Sequence, residues 1–340
     1  MHQQNSLLAF VSFGLFVAAC GSSYTEAPDR KGTGDSSGST VAAQVPTVVA
    51  ATGFYVDPSS RSANWVKNNG SDSRAASIKS NIADKAAARW FGDWNSNISA
   101  DVSNYVGAAA AKNQWPILVA YNIPGRDCGG ASSGGAGSPE AFRTWISSFA
   151  GAIGSRQAIV VIEPDSVAQL DCLPNDAERQ TRLDLVLYAT EQFHSKAPNA
   201  RAYVDAGNAK WVAASTMAQR LNAAGVRNVR GFALNVSNFY TTAESTTYAN
   251  SVNGALSSQS GYTVQFVIDT SRNGNGSKGN GEWCNPSGRK LGVPSQFSTG
   301  AESLLWVKGP GNSDGPCGIA PNTPAGTFSP DLATRLINGT

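Results

Sequence analysis

Residues 158–165 read AIVVIEPD, five apolar residues followed by Glu163, Pro164 and Asp165. A short, uninterrupted apolar run is typical of a strand that is buried on both faces of a sheet. Helix-length segments separate most of the similar runs, which lie at 53–57, 88–91, 116–122, 158–165, 201–207, 231–238, 263–270 and 303–311. This alternation predicts an α/β fold with a parallel sheet, and seven or eight such units predict a closed or nearly closed barrel.

Three of the separating segments carry signals for the start of a helix. Ser138 before Pro139 is a capping residue followed by a first-turn proline, and Asn175 caps the next segment. Asn208 is the predicted start of a third helix, which Gly225 would end.

Polar side chains stand at the carboxyl ends of most apolar runs. A single aspartate there is better explained as a helix cap or a turn residue. Many together are not, because the carboxyl ends of parallel barrel strands face one mouth, where such barrels carry their active sites. The sequence therefore predicts a site formed by Asn122, Asp127, Glu163, Asp165, Asp205, Asn235, Asn238, Asp269, Lys308 and Asp314.

Charge and histidine content exclude several classes of site. The chain has 26 Lys and Arg against 24 Asp and Glu, and no basic run long enough to follow a nucleic acid. Its two histidines are His2, in the leader, and His194, in a predicted helix, so a Ser-His-Asp triad or a His-ligated metal is not expected. Carboxylates remain as the acid and base groups, as in glycoside hydrolysis.

Neither a cofactor nor a metal ion is expected. Residues 274–279 match the dinucleotide-binding pattern GxGxxG, but an Asn/Gly-rich stretch follows in place of a helix. The cysteines form no CxxC pair, which argues against a zinc site.

The five cysteines are an odd number for an exported protein, so one of them needs a separate explanation. Cys20 follows Val-Ala-Ala, which resembles the end of a bacterial lipobox, and lipidation would remove it from pairing. The other four can form two disulfides in three ways. The sequence-local pairing joins Cys128 to Cys172 and Cys284 to Cys317.

The N-terminal segment predicts export. The apolar run 7–19 is too short to span a membrane and fits the core of a signal peptide. Ordinary cleavage near Cys20 is the alternative to lipidation, and residues 1–6 lack the usual Lys or Arg in either case.

These features divide the chain into three parts. We predict a signal peptide with a lipobox-like end at 1–20, a flexible Ser/Gly/Thr-rich linker at 21–46 and a catalytic domain at 47–340. The protein is expected to be secreted or lipid-anchored at the bacterial cell surface. We expect a monomer whose only membrane contact is the possible anchor at Cys20.

Tryptophans near the strand ends suggest the kind of substrate. Sugar rings have apolar faces that stack on aromatic planes, although tryptophan is more often a core residue. Trp90, Trp94, Trp211, Trp283 and Trp306 all lie at or near strand ends. We expect Trp306, inside an apolar run, to belong to the core, and Trp90, Trp211 and Trp283, beside polar loops, to bind substrate.

Two longer motifs stand among these strand ends. Residues 121–128 read YNIPGRDC, with SSGG at 132–135, and residues 161–166 read VIEPDS. Shorter motifs follow in order: DAG at 205–207, NVSN at 235–238, DTSRNG at 269–274, EWC at 282–284, WVK at 306–308 and DG at 314–315. As an ordered set, covering about 50–340, they resemble glycoside hydrolase family 6.

The resemblance implies a distorted parallel β/α barrel that hydrolyses β-1,4-glucan with inversion. Asp165 would be the general acid. Asp127 would raise the pKa of Asp165 by like-charge repulsion and join a proton relay through Ser132 or Ser133. Asp314 corresponds to the base, which in this family can act through a chain of waters.

The resemblance also assigns residues around the cleavage point. Tyr121 would press on the sugar and favour its distorted ring. Glu163 is expected to be structural, and Asp269 and Arg272 to hold loops. The predicted substrate-binding residues are Asp205, Lys308, Trp90, Trp211, Trp283, Asn208, Asn238, Ser132 and Ser133.

Two positions depart from the family pattern. Asn208 stands where histidine is common, and it can hydrogen-bond a sugar but cannot titrate. Asn312 stands where glutamate is common, which leaves Asp314 with fewer acidic neighbours.

The stretch after Asp314 predicts the mode of cleavage. Only Gly315 and Pro316 separate it from Cys317, which leaves little room for a loop that roofs a tunnel. We therefore expect an open cleft and internal cleavage. The alternatives are a cellobiohydrolase of the same family acting from chain ends, and a non-catalytic glucan-binding surface lipoprotein on a decayed barrel.

Overall fold

The structure is a computed structural model that describes residues 51–279 and 281–340. These residues belong to the second of two units, Val49–Thr340. The predicted signal peptide, the linker and the lipidation site Cys20 lie outside the described residues. Among the described helices, none is both long enough and apolar enough to cross a membrane.

Eight strands form one curled sheet. They are β1 (Arg89–Phe91), β2 (Ile117–Ala120), β3 (Ala158–Ile162), β4 (Ala200–Asp205), β5 (Gly231–Leu234), β6 (Gln265–Asp269), β7 (Gln296–Phe297) and β8 (Ser303–Leu305). The spatial order is β1-β2-β3-β4-β5-β6-β8-β7, and every neighbouring pair is parallel except β7 and β8. The predicted α/β fold with a parallel, distorted barrel of seven or eight strands is confirmed.

Both faces of the central strands are buried, as their uninterrupted apolar sequences predict. In β3, Val160 and Ile162 pack in the large core between the sheet and its helices. Ile159 and Val161 point the other way, into a smaller core enclosed by the sheet. Because side chains alternate along a strand, a run that must be apolar on both faces shows no polar residue in its sequence.

The barrel has a seam between β1 and β8. In the part of the chain that the structure describes, no ladder joins these strands. The Ala88 backbone N–H donates to the Trp306 carbonyl at 2.8 Å, and the Trp90 indole N–H donates to the Val307 carbonyl at 2.8 Å. Ser295 Oγ bridges the same gap, because it donates to the Ala86 carbonyl and accepts from the Trp306 N–H.

The strands of the structure differ from the predicted strands in two respects. Residues 53–57 do not form a strand, and only Phe54 makes an isolated parallel bridge, to Trp115. The short antiparallel strand β7 has no counterpart in the prediction. Its two residues are exposed, so it lacks the apolar run on which the prediction depended.

Eight α-helices accompany the sheet in the described residues: α1 (Arg61–Asn68), α2 (Ala75–Ile78), α3 (Ile98–Ala110), α4 (Pro139–Ile153), α5 (Asp176–Lys196), α6 (Ala214–Ala223), α7 (Thr242–Ser260) and α8 (Pro330–Asn338). Ser138 and Asn175 cap α4 and α5 as predicted, each accepting a backbone N–H of the first turn. The predicted start at Asn208 is wrong. The helix begins at Ala214 without a side-chain cap, and Asn208 Oδ1 accepts the Lys210 N–H in the preceding turn.

Two disulfides tie the loops at the carboxyl ends of the strands. Cys128 pairs with Cys172, which links the loops after β2 and β3. Cys284 pairs with Cys317, which links the loops after β6 and β8. The sequence-local pairing is confirmed, and disulfides of this kind are typical of exported proteins.

A substitution at Gly231, at the start of β5, tests how closely β5 packs against the neighbouring strand β6. A Cβ atom there would lie 1.7 Å from the Gln265 carbonyl oxygen of the neighbouring strand. We expect Gly231→Ala to lower the free energy of unfolding by roughly 1–3 kcal/mol or more, measured by denaturant titration. The control is Gly254→Ala in the exposed interior of α7, where a Cβ meets nothing within 4 Å and should stabilise by about 0.5–1 kcal/mol. Equal stability of the two variants would contradict the prediction.

Candidate active site

A cleft of about 1300 Å³ opens at the carboxyl ends of the strands. Twelve of the thirteen residues predicted for catalysis or substrate binding line it: Tyr121, Asp127, Asp165, Asp314, Lys308, Trp90, Trp211, Trp283, Asn208, Asn238, Ser132 and Ser133. The thirteenth, Asp205, does not. The strand-end pattern in the sequence thus corresponds to one continuous surface.

Left-handed backbone conformations cluster where strands enter the cleft. Glu163 and Asp165, directly after β3, have φ of 47° and 70°. Asp127 after β2 and Asn235 and Ser237 after β5 also have positive φ. Such conformations cost free energy for residues other than glycine, and they persist only where surrounding contacts hold them.

Buried carboxylates supply those contacts by accepting backbone N–H groups from neighbouring strand ends. Glu163, after β3, accepts the N–H groups of Asn122 and Ile123, which follow β2, at 2.9 Å. Burial raises the pKa of Glu163 to about 8, although these backbone hydrogen bonds oppose the shift. These buried contacts to the neighbouring backbone are what the predicted structural role of Glu163 requires.

Asp269 has the same function on the other side of the cleft. One carboxylate oxygen accepts the N–H groups of Ser237 and Lys308, each at 3.0 Å. The other accepts those of Ser271 and Val307. The carboxylate at the end of β6 therefore connects the segments that follow β5 and β8.

Asp205 departs from the prediction that it contacts a sugar hydroxyl. It is fully buried at the end of β4, and its Oδ2 accepts the N–H groups of Asp165, at 2.9 Å, and Gly207, at 3.0 Å. Its Oδ1 is buried without a hydrogen-bond partner among the described residues. Burial, and next the charge of Asp165, raise the pKa of Asp205 well above its usual range. Because Asp205 lies behind the cleft wall, it supports the backbone of Asp165.

Asp165 lies in the cleft wall with a perturbed carboxyl group. Burial, and next the neighbouring Asp127 carboxylate, raise its pKa to about 7, and the Lys308 ammonium opposes the shift. A carboxyl group with this pKa holds a proton in a large fraction of molecules near neutral pH.

Asp127 is fixed within its own loop. Its Oδ2 accepts the Ser132 backbone N–H at 2.7 Å. Gly130 lies so close beneath that a Cβ there would be 2.5 Å from the same oxygen. Arg126 holds the other side of the loop by donating from Nε to the Ser132 carbonyl at 2.8 Å.

Asp314 has the opposite electrostatic environment. Its two oxygens pair with Arg272 at 2.7 Å and Lys308 at 3.0 Å, and the Asn285 N–H donates to it at 3.0 Å. Burial alone would raise its pKa, but the charges of Arg272 and Lys308 outweigh burial and lower the pKa to about 2. Asp314 is therefore ionised near neutral pH, in the same cleft as Asp165. Arg272, which was predicted to hold a loop, thus pairs with Asp314 in the site and also donates to the Ser237 carbonyl in the loop after β5.

The structure places the tryptophans in two environments, the cleft and the core. Trp211 and Trp283 are 40% and 52% exposed in the cleft. Trp306 is 1% exposed and belongs to the core. Trp90 lies in the cleft wall with its ring edge-on to Tyr121, at a centroid distance of 5.2 Å.

Trp94 and Arg126 are among the residues that line the cleft without having been assigned to the site from the sequence. Trp94 is 52% exposed and lines the cleft, and Arg126 is buried beside it. Arg126 lies within the YNIPGRDC motif, so its position was a usable signal. Trp94 belongs to none of the motifs. In the described residues, no group of three or more His, Cys, Asp or Glu side chains is arranged to hold a metal ion.

The sequence profile of glycosyl hydrolases family 6 matches residues 49–340. The chain belongs to this family. As a family 6 member it is a glycoside hydrolase, and its cleft carries the two departures noted in the sequence, Asn208 and Asn312.

Individual relatives agree with the family assignment. The chain is 51% identical to endoglucanase 1 of Streptomyces halstedii over 84% of its own length and 89% of the relative. It is 42% identical to endoglucanase A of Thermobispora bispora over 83% of its own length, but spans only 61% of that longer protein. Among solved structures, the endoglucanase Cel6 from Mycobacterium tuberculosis, in complex with methyl-cellobiosyl-4-deoxy-4-thio-β-D-cellobioside, superimposes with a TM-score of 0.78. That match has 39% identity and covers 86% of this chain and 98% of the other.

Proposed function

We propose that this family 6 enzyme cleaves internal β-1,4-glucosidic bonds of cellulose or related β-glucans with inversion of configuration. The observation that carries the proposal is a pair of carboxyl groups in one cleft with opposite pKa shifts, Asp165 raised to about 7 and Asp314 lowered to about 2. Two carboxyls kept in different protonation states by their surroundings are the arrangement that acid–base glycoside hydrolysis needs.

Asp165 is the proposed general acid. As the glycosidic bond breaks, its carboxyl proton passes to the leaving oxygen, and the sugar ring develops positive charge. Asp127 favours the protonated form beforehand by like-charge repulsion, and Ser132 and Ser133 are the candidates for returning the proton afterwards. The backbone hydrogen bond from Asp165 to Asp205 keeps the acid in place.

Asp314 is the proposed partner on the water side. In an inverting reaction, a water attacks the anomeric carbon from the face opposite the leaving group. A carboxylate that is paired at both oxygens and has a pKa of about 2 is a weak proton acceptor. We therefore assign Asp314 the role of a fixed negative charge that orients the water and stabilises the positive sugar. The proton that the attacking water loses passes through further waters to the solvent.

The rest of the cleft binds the glucan. Trp90, Trp211 and Trp283 offer flat surfaces to the apolar faces of sugar rings. Lys308, Asn208 and Asn238 offer hydrogen bonds to hydroxyl groups. Tyr121, a buried phenol between these groups, lies against the sugar at the cleavage point.

Internal cleavage follows from the openness of this surface. Gly315 and Pro316 are followed at once by the Cys284–Cys317 disulfide, which leaves the segment after Asp314 short and tied. A cleft without a long roofing loop admits a chain at any point along its length. The relatives from Streptomyces halstedii and Thermobispora bispora are themselves named endoglucanases.

Product analysis tests the proposed reaction directly. We expect the viscosity of carboxymethylcellulose to fall steeply while few reducing ends appear, because internal cuts shorten chains with few bonds broken. NMR of the first product from a cello-oligosaccharide should show the α-anomer. A β-anomer would contradict inversion. Release of cellobiose from the start with little loss of viscosity would favour a cellobiohydrolase that acts from chain ends. Binding of glucan without turnover would favour a non-catalytic glucan-binding protein.

Asp165→Asn tests the assignment of the acid. We expect a loss of about 10²–10⁴ in rate on unactivated glucan, and a much smaller loss on a dinitrophenyl cellobioside, whose leaving group needs no proton. Since the acid must be protonated, wild-type activity on glucan should fall as pH rises through about 7. The control is Asp84→Asn, an exposed carboxylate paired with Lys79 outside the cleft, with wild-type rates expected. Full glucanase activity of Asp165→Asn would refute the assignment.

We also propose that the enzyme is exported, anchored through a lipidated Cys20, and monomeric. The two disulfides use four of the five cysteines, and Cys20 follows the lipobox-like Val-Ala-Ala. Mass spectrometry of membrane-associated protein should find Cys20 acylated at the mature N-terminus, and Cys20→Ala should release the enzyme into the medium. An unmodified N-terminus elsewhere would exclude the anchor and leave the hydrolase proposal intact.

A further inference from the structure

Trp94 is a half-exposed tryptophan in the cleft wall for which the proposed reaction has no role. It follows β1 by three residues and is 52% exposed, as much as Trp283. A tryptophan side chain is usually well buried, so one with this exposure in a sugar-binding cleft calls for an explanation.

The indole of Trp94 is held in place by packing against Gly92 and by the hydrogen bonds of its turn. A Cβ atom on Gly92 would lie 2.5 Å from the Trp94 ζ3 carbon, so the ring occupies the space that the missing side chain leaves. The turn that carries it is closed by Asn95, whose Oδ1 accepts the Gly92 N–H at 3.0 Å. Asn95 is fixed in turn by a 2.8 Å hydrogen bond to Asp101. The ring therefore loses little conformational entropy when a ligand binds to it.

Arg126 connects Trp94 to the cleavage point. Its guanidinium lies over the Trp94 ring at 5.2 Å and over the Tyr121 ring at 5.0 Å. Asp93 neutralises it at 2.9 Å, and it is nearly fully buried. One side of the indole is thus covered by Arg126, and the exposed remainder lies in the cleft one guanidinium group away from Tyr121.

We propose that Trp94 is a further sugar-stacking platform, which binds a pyranose ring of the β-1,4-glucan in addition to Trp90, Trp211 and Trp283. This inference rests on the proposed function. Because the Arg126 guanidinium separates Trp94 from Tyr121 at the cleavage point, a sugar bound on Trp94 lies away from the scissile bond, and only longer substrates reach it. The effect of losing Trp94 should therefore depend on the length of the oligosaccharide.

The test compares Trp94→Leu with Trp94→Phe on cello-oligosaccharides of increasing length. Leucine keeps an apolar contact to Arg126 but removes the flat face, whereas phenylalanine keeps a flat face. We expect Trp94→Leu to lower kcat/KM on the longer oligosaccharides about three- to tenfold, mainly through KM, and to leave an aryl cellobioside unchanged. Trp94→Phe should restore most of the loss. The matched control is Phe297→Leu, an aromatic residue of similar exposure outside the cleft, with no effect expected.

The possible results separate this inference from the reaction itself. Wild-type rates for Trp94→Leu at every length would overturn the platform. An equal fall of kcat on short and long substrates would also overturn it, because the indole would then only support Arg126 and its loop. If the wild-type enzyme itself fails to cleave any cello-oligosaccharide, the proposed function fails.

Discussion

The architecture of the site depends on the pairing of backbone N–H groups that emerge, already buried, from the ends of parallel strands. An unpaired N–H in that position would cost about 1–3 kcal/mol, and within residues 51–279 and 281–340 the sheet has no further strand to accept it. Glu163 and Asp269 meet this need with carboxylate oxygens placed one strand away, and Asp205 does so for Asp165. These acceptors hold the left-handed backbone at the strand ends, so the strained conformations and the buried acids belong to one arrangement.

That arrangement also sets the electrostatics of the cleft. The acceptors of these N–H groups are buried carboxylates, so several acidic groups lie close together where little water reaches them. The cations are unevenly distributed, since Arg272 and Lys308 both pair with Asp314, whereas Asp165 faces Asp127. The surroundings of Asp314 therefore favour its ionised form, and those of Asp165 favour its protonated form. The difference arises from where the cations are held, because both carboxyls are aspartates in buried positions.

The sequence predicted the features that follow from local pattern. Uninterrupted apolar runs identified the strands of the parallel sheet, and the ordered motifs located most of the cleft. The predictions were wrong or incomplete where the outcome depends on three-dimensional neighbours. Residues 53–57 have a strand-like sequence but obtain only one bridge, at Phe54, and Asp205 looks like other strand-end aspartates but is covered by its surroundings. The exposure of Trp94 depends on Gly92 and Arg126, and no spacing rule in the sequence connects these three residues.

The seam between β1 and β8 affects how substitutions in the cleft are to be interpreted. Trp90 lines the cleft and also makes one of the hydrogen bonds across the seam, from its indole N–H to the Val307 carbonyl. Trp90→Ala would remove a binding surface and, at the same time, a hydrogen bond that joins β1 to the segment after β8. A loss of activity in this variant could therefore come from lost contact with the ligand or from a loosened barrel. Trp211 and Trp283 take part in none of the hydrogen bonds described across the seam, so an alanine at either position would mainly test contact with the ligand.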